Sequence, residues 1–172
     1  MKTFAFAVTV AGLDLDDADL LERLHSAEFV LVPSETDGVV TLDVEIDAET
    51  GEDALQGFLD HLAAAPEVSV RHVGADLVNA TEVGKRLDVS REAVRTWATG
   101  IRGPADFPDH WCVLAGGQKL WTWASVHDWA AVNDRLPGDL PCPLDAACVD
   151  WFNGTLVPPS ARGKKRSVSA AR

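Results

Sequence analysis

The charge of this 172-residue chain is segregated along its length, and that limits the fold before any periodicity is read. A net charge of -12 spread evenly would argue against nucleic acid, but residues 1–75 hold 16 acidic and 3 basic side chains, a net -13. Residues 76–136 hold 8 acidic and 7 basic side chains, and residues 137–172 hold 3 and 5. All six tryptophans lie between Trp97 and Trp151. Two independent shifts therefore place a boundary near residue 76. At 18.5 kDa there is room for one domain or two small ones, and 47% hydrophobic residues suffice for a core. No apolar run approaches the roughly 20 residues that span a bilayer, so a cytoplasmic protein without a membrane partner is expected. Cys112, Cys142 and Cys148 match no CxxC pattern and read as packing residues, with no disulfide framework and no metal site.

In the acidic segment, TFAFAVTV places Phe4, Phe6, Val8 and Val10 on one face of a strand and Thr3, Ala5, Ala7 and Thr9 on the other. DDADLLERLHSA predicts a helix capped by Asp16, with Ala18, Leu21 and Leu24 or His25 on one side. EFVLV reads as a strand, SETDG as a hairpin turn, and VVTLDVEID as a strand burying Val40, Leu42, Val44 and Ile46. TGEDALQGFLDHLAAA predicts a helix with Leu55, Phe58, Leu59 and Leu62 as its stripe, ended by Pro66, and VSVRHVG supplies a last strand. This order predicts an α+β fold whose N-terminal part, residues 1–76, is a ferredoxin-like βαββαβ plait. Its open face would carry Ala5, Ala7, Asp43 and Glu45 and either serve dimerisation, a small effector or a protein partner, or simply be solvated.

The informative segment is NATEVGKRLDVSREAVRTWATGIRG, residues 79–103. Thr81 can cap a short helix holding Val83 and Leu87, with Gly84 at a close crossing; Asp88, Val89 and Ser90 break it, and Ser90 caps a second helix stopped by Gly100. Ala93, Val94, Trp97 and Ala98 share one side of that helix, and Arg91, Glu92, Arg95, Thr96 and Thr99 fill the other. This is a helix-turn-helix with a polar outer face. Arg91 and Arg95 suit guanine edges or phosphates, Thr96 and Thr99 suit either, and Glu92 suits cytosine N4 or a neighbouring base. Trp111–Leu114 and Lys119–Thr122 read as short strands around the hairpin Ala115-Gly116-Gly117-Gln118, and Val126, Trp129 and Ala130 mark a closing helix. Trp97, Trp121 and Trp129 are expected in one core.

The run Thr81-Glu82-Val83-Gly84, Val89 to Arg95, Gly103-Pro104, Phe107-Pro108, Gly116-Gly117 and Leu120-Trp121-Thr122-Trp123 with Trp129 resembles the winged helix-turn-helix proteins of the MerR and excisionase-like group, actinobacterial type. The resemblance covers about residues 77–133. It implies a recognition helix, residues 90–99, in the major groove of duplex DNA and a wing, residues 111–122, on the backbone. The DNA-facing residues are then Lys85, Arg86, Ser90, Arg91, Glu92, Arg95, Thr96, Thr99, Arg102 and Lys119. The wing carries one charge near its tip, Lys119, so one copy is expected to bind weakly and to need a dimer or a protein partner.

Residues 137–158 predict a helix with Leu144, Cys148, Trp151 or Phe152, and Leu156 along one side, packed on the winged domain, residues 77–136, or on a second subunit. Residues 159–172 read as a disordered tail whose Arg162, Lys164, Lys165 and Arg166 serve phosphate contact or solubility. The five histidines fall in no HExxH pattern, and GxSxG and GKS or GKT loops are absent from the sequence, so neither an enzyme nor a cofactor is expected. Transcriptional regulation by a homodimer is the leading expectation. The rivals are a protein-interaction adaptor, antitoxin-like or signalling, and an excisionase-like architectural factor.

Overall fold

The computed structural model describes residues 1–25, 28–138 and 140–156. They form six helices and two sheets, a mixed α+β architecture. Four of the five strands of the first sheet are β1 (Lys2–Ala11), β2 (Phe29–Thr36), β3 (Val39–Ala48) and β4 (Ser69–Val73), in the order β2-β3-β1-β4 with each neighbour antiparallel. The helices α1 (Ala18–Leu24) and α2 (Gly51–Leu62) connect β1 to β2 and β3 to β4. Alternation sets the register. Phe4, Phe6 and Val8 lie opposite Ile46, Val44 and Leu42, and all six are buried. Phe58 of α2 is fully buried and meets Phe6 edge to face at 6.0 Å. Burying a side chain of this kind stabilises the fold by about 1.5–3 kcal/mol. The hairpin turn contracts to Asp37-Gly38, both at positive φ (52° and 76°), because a two-residue turn of this hand matches the strand twist.

The first helix is capped by Asp17, whose side chain accepts from Leu20 N at 3.0 Å. Asp16 instead donates its backbone N–H to Asp14 Oδ1 in the preceding turn. Starting one residue later turns Leu20 and Leu24 inward. At α2 the cap is Thr50, accepting from Asp53 N, and Ala54, Leu55, Phe58 and Leu62 are buried.

The second unit begins with β5 (Leu77–Val78), followed by α3 (Ala80–Arg86), α4 (Arg91–Trp97), β6 (Cys112–Val113), β7 (Lys119–Thr122) and α5 (Trp123–Val132). Its sheet runs β5-β7-β6, so the chain entering from β4 supplies a third strand beside the hairpin. Val78, Val83, Val94, Trp97, Trp121, Val126 and Trp129 form a second core, separate from the first. The expected trio of tryptophans is buried together, joined by Phe107 at 4.8 Å from Trp129 and 5.7 Å from Trp121.

Past α5 the chain returns to the first sheet. β8 (Cys142–Pro143) pairs in parallel with Phe4 and Ala5 of β1, and α6 (Ala146–Thr155) puts Leu144, Cys148, Val149 and Phe152 into the first core. The Asn153 side chain donates to Val73 O at 2.9 Å and accepts from Val73 N at 2.8 Å, completing the backbone pairing of β4. The last helix therefore packs on the first unit, not on the second unit or another subunit. Phe152 turns inward and Trp151 stays 56% exposed. Burial, reinforced by Asp145 and Glu52, raises the Cys148 thiol to about 11, so it stays protonated and packs as an apolar group. The tail with Arg162, Lys164, Lys165 and Arg166, and residues 157–158 before it, lie outside the described residues.

Of the four residues expected on the open outer face of the first sheet, Asp43 and Glu45 are exposed. Ala5 and Ala7 are half-buried. They share a cavity of about 560 Å³ with Asp43, Glu45, the Gly74–Leu77 linker, Arg86 and Pro143.

Candidate nucleic-acid interface

Local chemistry fixes the two short helices. Asn79, not Thr81, caps α3: its side chain accepts from Thr81 N at 2.8 Å and Glu82 N at 3.1 Å, while Glu82 Oε2 accepts from Asn79 N at 2.7 Å. This reciprocal capping box satisfies donors at both ends of the turn. Asp88 takes φ 52° and turns the chain. A Cβ at Gly84 would lie 2.8 Å from Val89 O, so only glycine lets the turn pass so close to α3. Ser90 then caps α4, accepting from Ala93 N at 3.1 Å, and Gly100 at φ 66° ends it. Val94 and Trp97 anchor α4 in the second core, leaving Arg91 and Arg95 exposed one turn apart.

The loop and hairpin are pinned by the same aromatic core. Trp129 Nε1 donates to Ala105 O at 2.9 Å, and Trp121 Nε1 donates to Pro108 O at 3.0 Å. The hairpin closes through Trp111 N to Leu120 O at 2.7 Å and Leu114 N to Gln118 O at 2.9 Å, with Gly117 at φ 77° in the turn. Its tip lies beside α4.

Between them runs a groove of about 540 Å³. One wall is Arg91, Arg95, Ala98 and Thr99, spaced along one side of α4; another is Gly116 to Lys119; the floor is Asn79, Ala80 and Thr81. Arg91, Arg95 and Lys119 converge there, and no carboxylate lines it. Among the described residues none of these three cations has an ion-pair partner. Three unpaired cations with no lining carboxylate make the local potential of the groove positive.

The other expected contacts divide. Ser90 spends its oxygen lone pair on the helix cap, and Thr96 and Thr99 donate their hydroxyls to Glu92 O and Thr96 O, each at 2.8 Å. Of these three only Thr99 lines the groove, where it offers an acceptor and a methyl group. Glu92, Lys85 and Arg102 are exposed but do not line the groove. Arg86 is turned away from it: Nη1 and Nη2 donate to Asp76 at 2.5 and 3.0 Å, and the guanidinium lies over the Trp123 ring at 4.8 Å. It joins α3 to the linker. Asn79 and Gln118 line the groove without having been expected there; the capping pattern of Asn79 with Glu82 three residues on was the available signal. Among the described residues no group of three or more histidine, cysteine or carboxylate side chains is arranged to hold a metal, and no helix is long and apolar enough to cross a membrane. No protein-family model, no curated protein and no solved structure matches this chain.

Proposed function

We propose that the chain binds duplex DNA and acts as a transcriptional regulator, with a winged helix-turn-helix carried on a ferredoxin-like plait. The strand order β2-β3-β1-β4 with α1 and α2 as crossovers supports the plait, and α3, α4 and the β5-β7-β6 sheet closed by α5 support the winged unit. One observation carries the function: Arg91, Arg95 and Lys119 meet in a groove free of carboxylates, in a chain whose net charge is -12. On this reading α4 enters the major groove, Arg91 and Arg95 contact base edges or phosphates, and Lys119 at the hairpin tip holds the backbone. Three cations are few for tight binding at physiological salt, so two copies act together.

Binding to fragments of the encoding genome, measured with and without Arg95→Ala, tests the assignment. If Arg95 reads a base, the variant loses about 1–3 kcal/mol on the preferred fragment and little on others. Uniform loss on all fragments assigns Arg95 to phosphate, and no loss on any fragment removes it from the interface.

A further inference from the structure

The floor of the groove holds a donor that the three cations do not account for, the side-chain amide of Asn79. Asn79 Oδ1 accepts from Thr81 N at 2.8 Å and from Glu82 N at 3.1 Å. Two backbone N–H groups aimed at one terminal atom fix that atom as oxygen, so Nδ2 is the other end of the fork. Among the described residues Nδ2 donates to nothing. No buried side-chain nitrogen or oxygen among them lacks a partner, so this unpartnered amide is open to solvent. Capping alone does not call for it, since serine, threonine, aspartate and asparagine all cap helices well. With the cap oxygen occupied, aspartate leaves a charge and serine or threonine at most one hydroxyl proton; asparagine alone leaves two donors and no charge. The amide is also held in advance. Its two bonds to α3, and the bond from Asn79 N to Glu82 Oε2 at 2.7 Å, fix the residue, whereas Arg91, Arg95 and Lys119 are long side chains that binding must order.

We propose that Asn79 is a contact residue of the DNA interface, whose Nδ2 donates to a phosphate oxygen and sets the register of the second unit on the duplex backbone. The inference rests on the DNA-binding reading and adds a neutral, preset contact to it. The site is the groove and the donor is a side chain; the N–H groups of Thr81 and Glu82 are already occupied by the cap. The same bonds select phosphate over base. Paired reading of adenine by asparagine needs the amide oxygen as well as the nitrogen, and here the oxygen already accepts twice. A phosphate oxygen needs only a donor, and contacts to it position a protein without reading sequence.

The test is binding of the intact chain to a set of genomic duplex fragments across a salt series, for Asn79→Gly, Asn79→Asp and Glu82→Ala, with a thermal midpoint for each. Glycine and aspartate are both tolerated at a helix cap, so the two Asn79 variants keep the fold. Asn79→Gly should lower affinity about tenfold on every fragment bound, since the lost bond is to a charged group. The slope of log affinity against log salt should stay as it was, because a neutral donor releases no counterion. Asn79→Asp, of the same shape, should lose more, because a carboxylate then faces the phosphate. Glu82→Ala breaks the other half of the capping box, leaves the amide in place, and should bind no more weakly than the wild-type chain. Wild-type affinity in Asn79→Gly overturns the proposal, as does a loss confined to one sequence. An equal loss in Glu82→Ala also overturns it, by assigning the effect to the cap. A wild-type chain that binds no fragment removes the DNA-binding reading itself; wild-type binding that the Asn79 variants leave unchanged removes this inference alone.

Discussion

Arg86 donates two hydrogen bonds to Asp76, and Trp123 N in turn donates to Asp76 O at 2.7 Å, so one linker residue holds both α3 and the start of α5. The Arg86 and Asp76 side chains are 36% and 44% exposed, so solvent screens the pair to less than about 1 kcal/mol, with a similar amount from the indole face. Arg86→Ala should therefore lower stability by about 1 kcal/mol and leave the salt dependence of DNA binding unchanged, whereas loss of a phosphate contact reduces that slope by about 1. Denaturant melts and salt titrations of the variant check both. Sequence placed Arg86 among the DNA contacts because α3 ends in Lys85-Arg86, and periodicity cannot tell which of two adjacent cations meets a carboxylate ten residues upstream.

His127 is the other residue with a separable signature. Burial, with a smaller contribution from the charge of Lys2, lowers its pKa below 6.5 against the opposing pull of Asp128. A depressed histidine is neutral in the fold and takes up its proton on unfolding, so its contribution is complete above about pH 6.5 and is lost as pH falls through the folded value. The thermal midpoint should fall on acidification below about pH 6.5, and His127→Phe should flatten that part of the curve. An identical pH profile in the variant would show that other groups set the slope.

At the scale of elements, the best-determined joint is where the loop after α4 crosses Trp97. Gly103 sits at φ +111°, and a Cβ there would lie 2.2 Å from Trp97 Cδ1 and 2.5 Å from Nε1. The indole cannot move aside: Trp129 is 5.2 Å away, Phe107 6.3 Å, and Arg135 lies over it at 5.0 Å. Gly103→Ala should cost about 1–3 kcal/mol and loosen the second core, seen as a lower midpoint by tryptophan fluorescence. Elements with a strong local period were legible in advance: β1 and β3 by alternation, the Asp37-Gly38 turn by its dipeptide, α4 by Ser90 and its Val94–Trp97 side. Caps were less so. Among Asp14, Asp16 and Asp17, or between Asn79 and Thr81, several residues carry suitable oxygens, and the choice depends on which start turns the apolar side to the core. β5 was invisible because two residues have no period and their pairing with Trp121 and Thr122 spans the whole unit.

Over the whole molecule, the charge boundary near residue 76 marks where the composition changes but not where the first fold ends. Leu144, Cys148, Val149 and Phe152 complete the first core from the far end of the sequence. A fragment cut at residue 76 would expose that core, so the intact chain is the proper subject for functional work. Nothing local in PLDAACVDWFNGTL distinguished the first sheet from the second unit as its partner, since both offer apolar surface to an amphipathic helix. The groove was half legible: the pattern gave Arg91, Arg95, Thr99 and Lys119, while their convergence depends on a hairpin placed by Trp121 and Trp129. The proposed interface rests on that convergence, and the salt dependence of DNA binding reports on it. For the intact chain, log affinity should fall linearly with log salt, and replacing Arg91, Arg95 and Lys119 together by alanine should reduce the slope by about 2–3 if they neutralise phosphates. A slope that the triple variant leaves unchanged, or no binding of the wild-type chain to any genomic fragment at low salt, would contradict it.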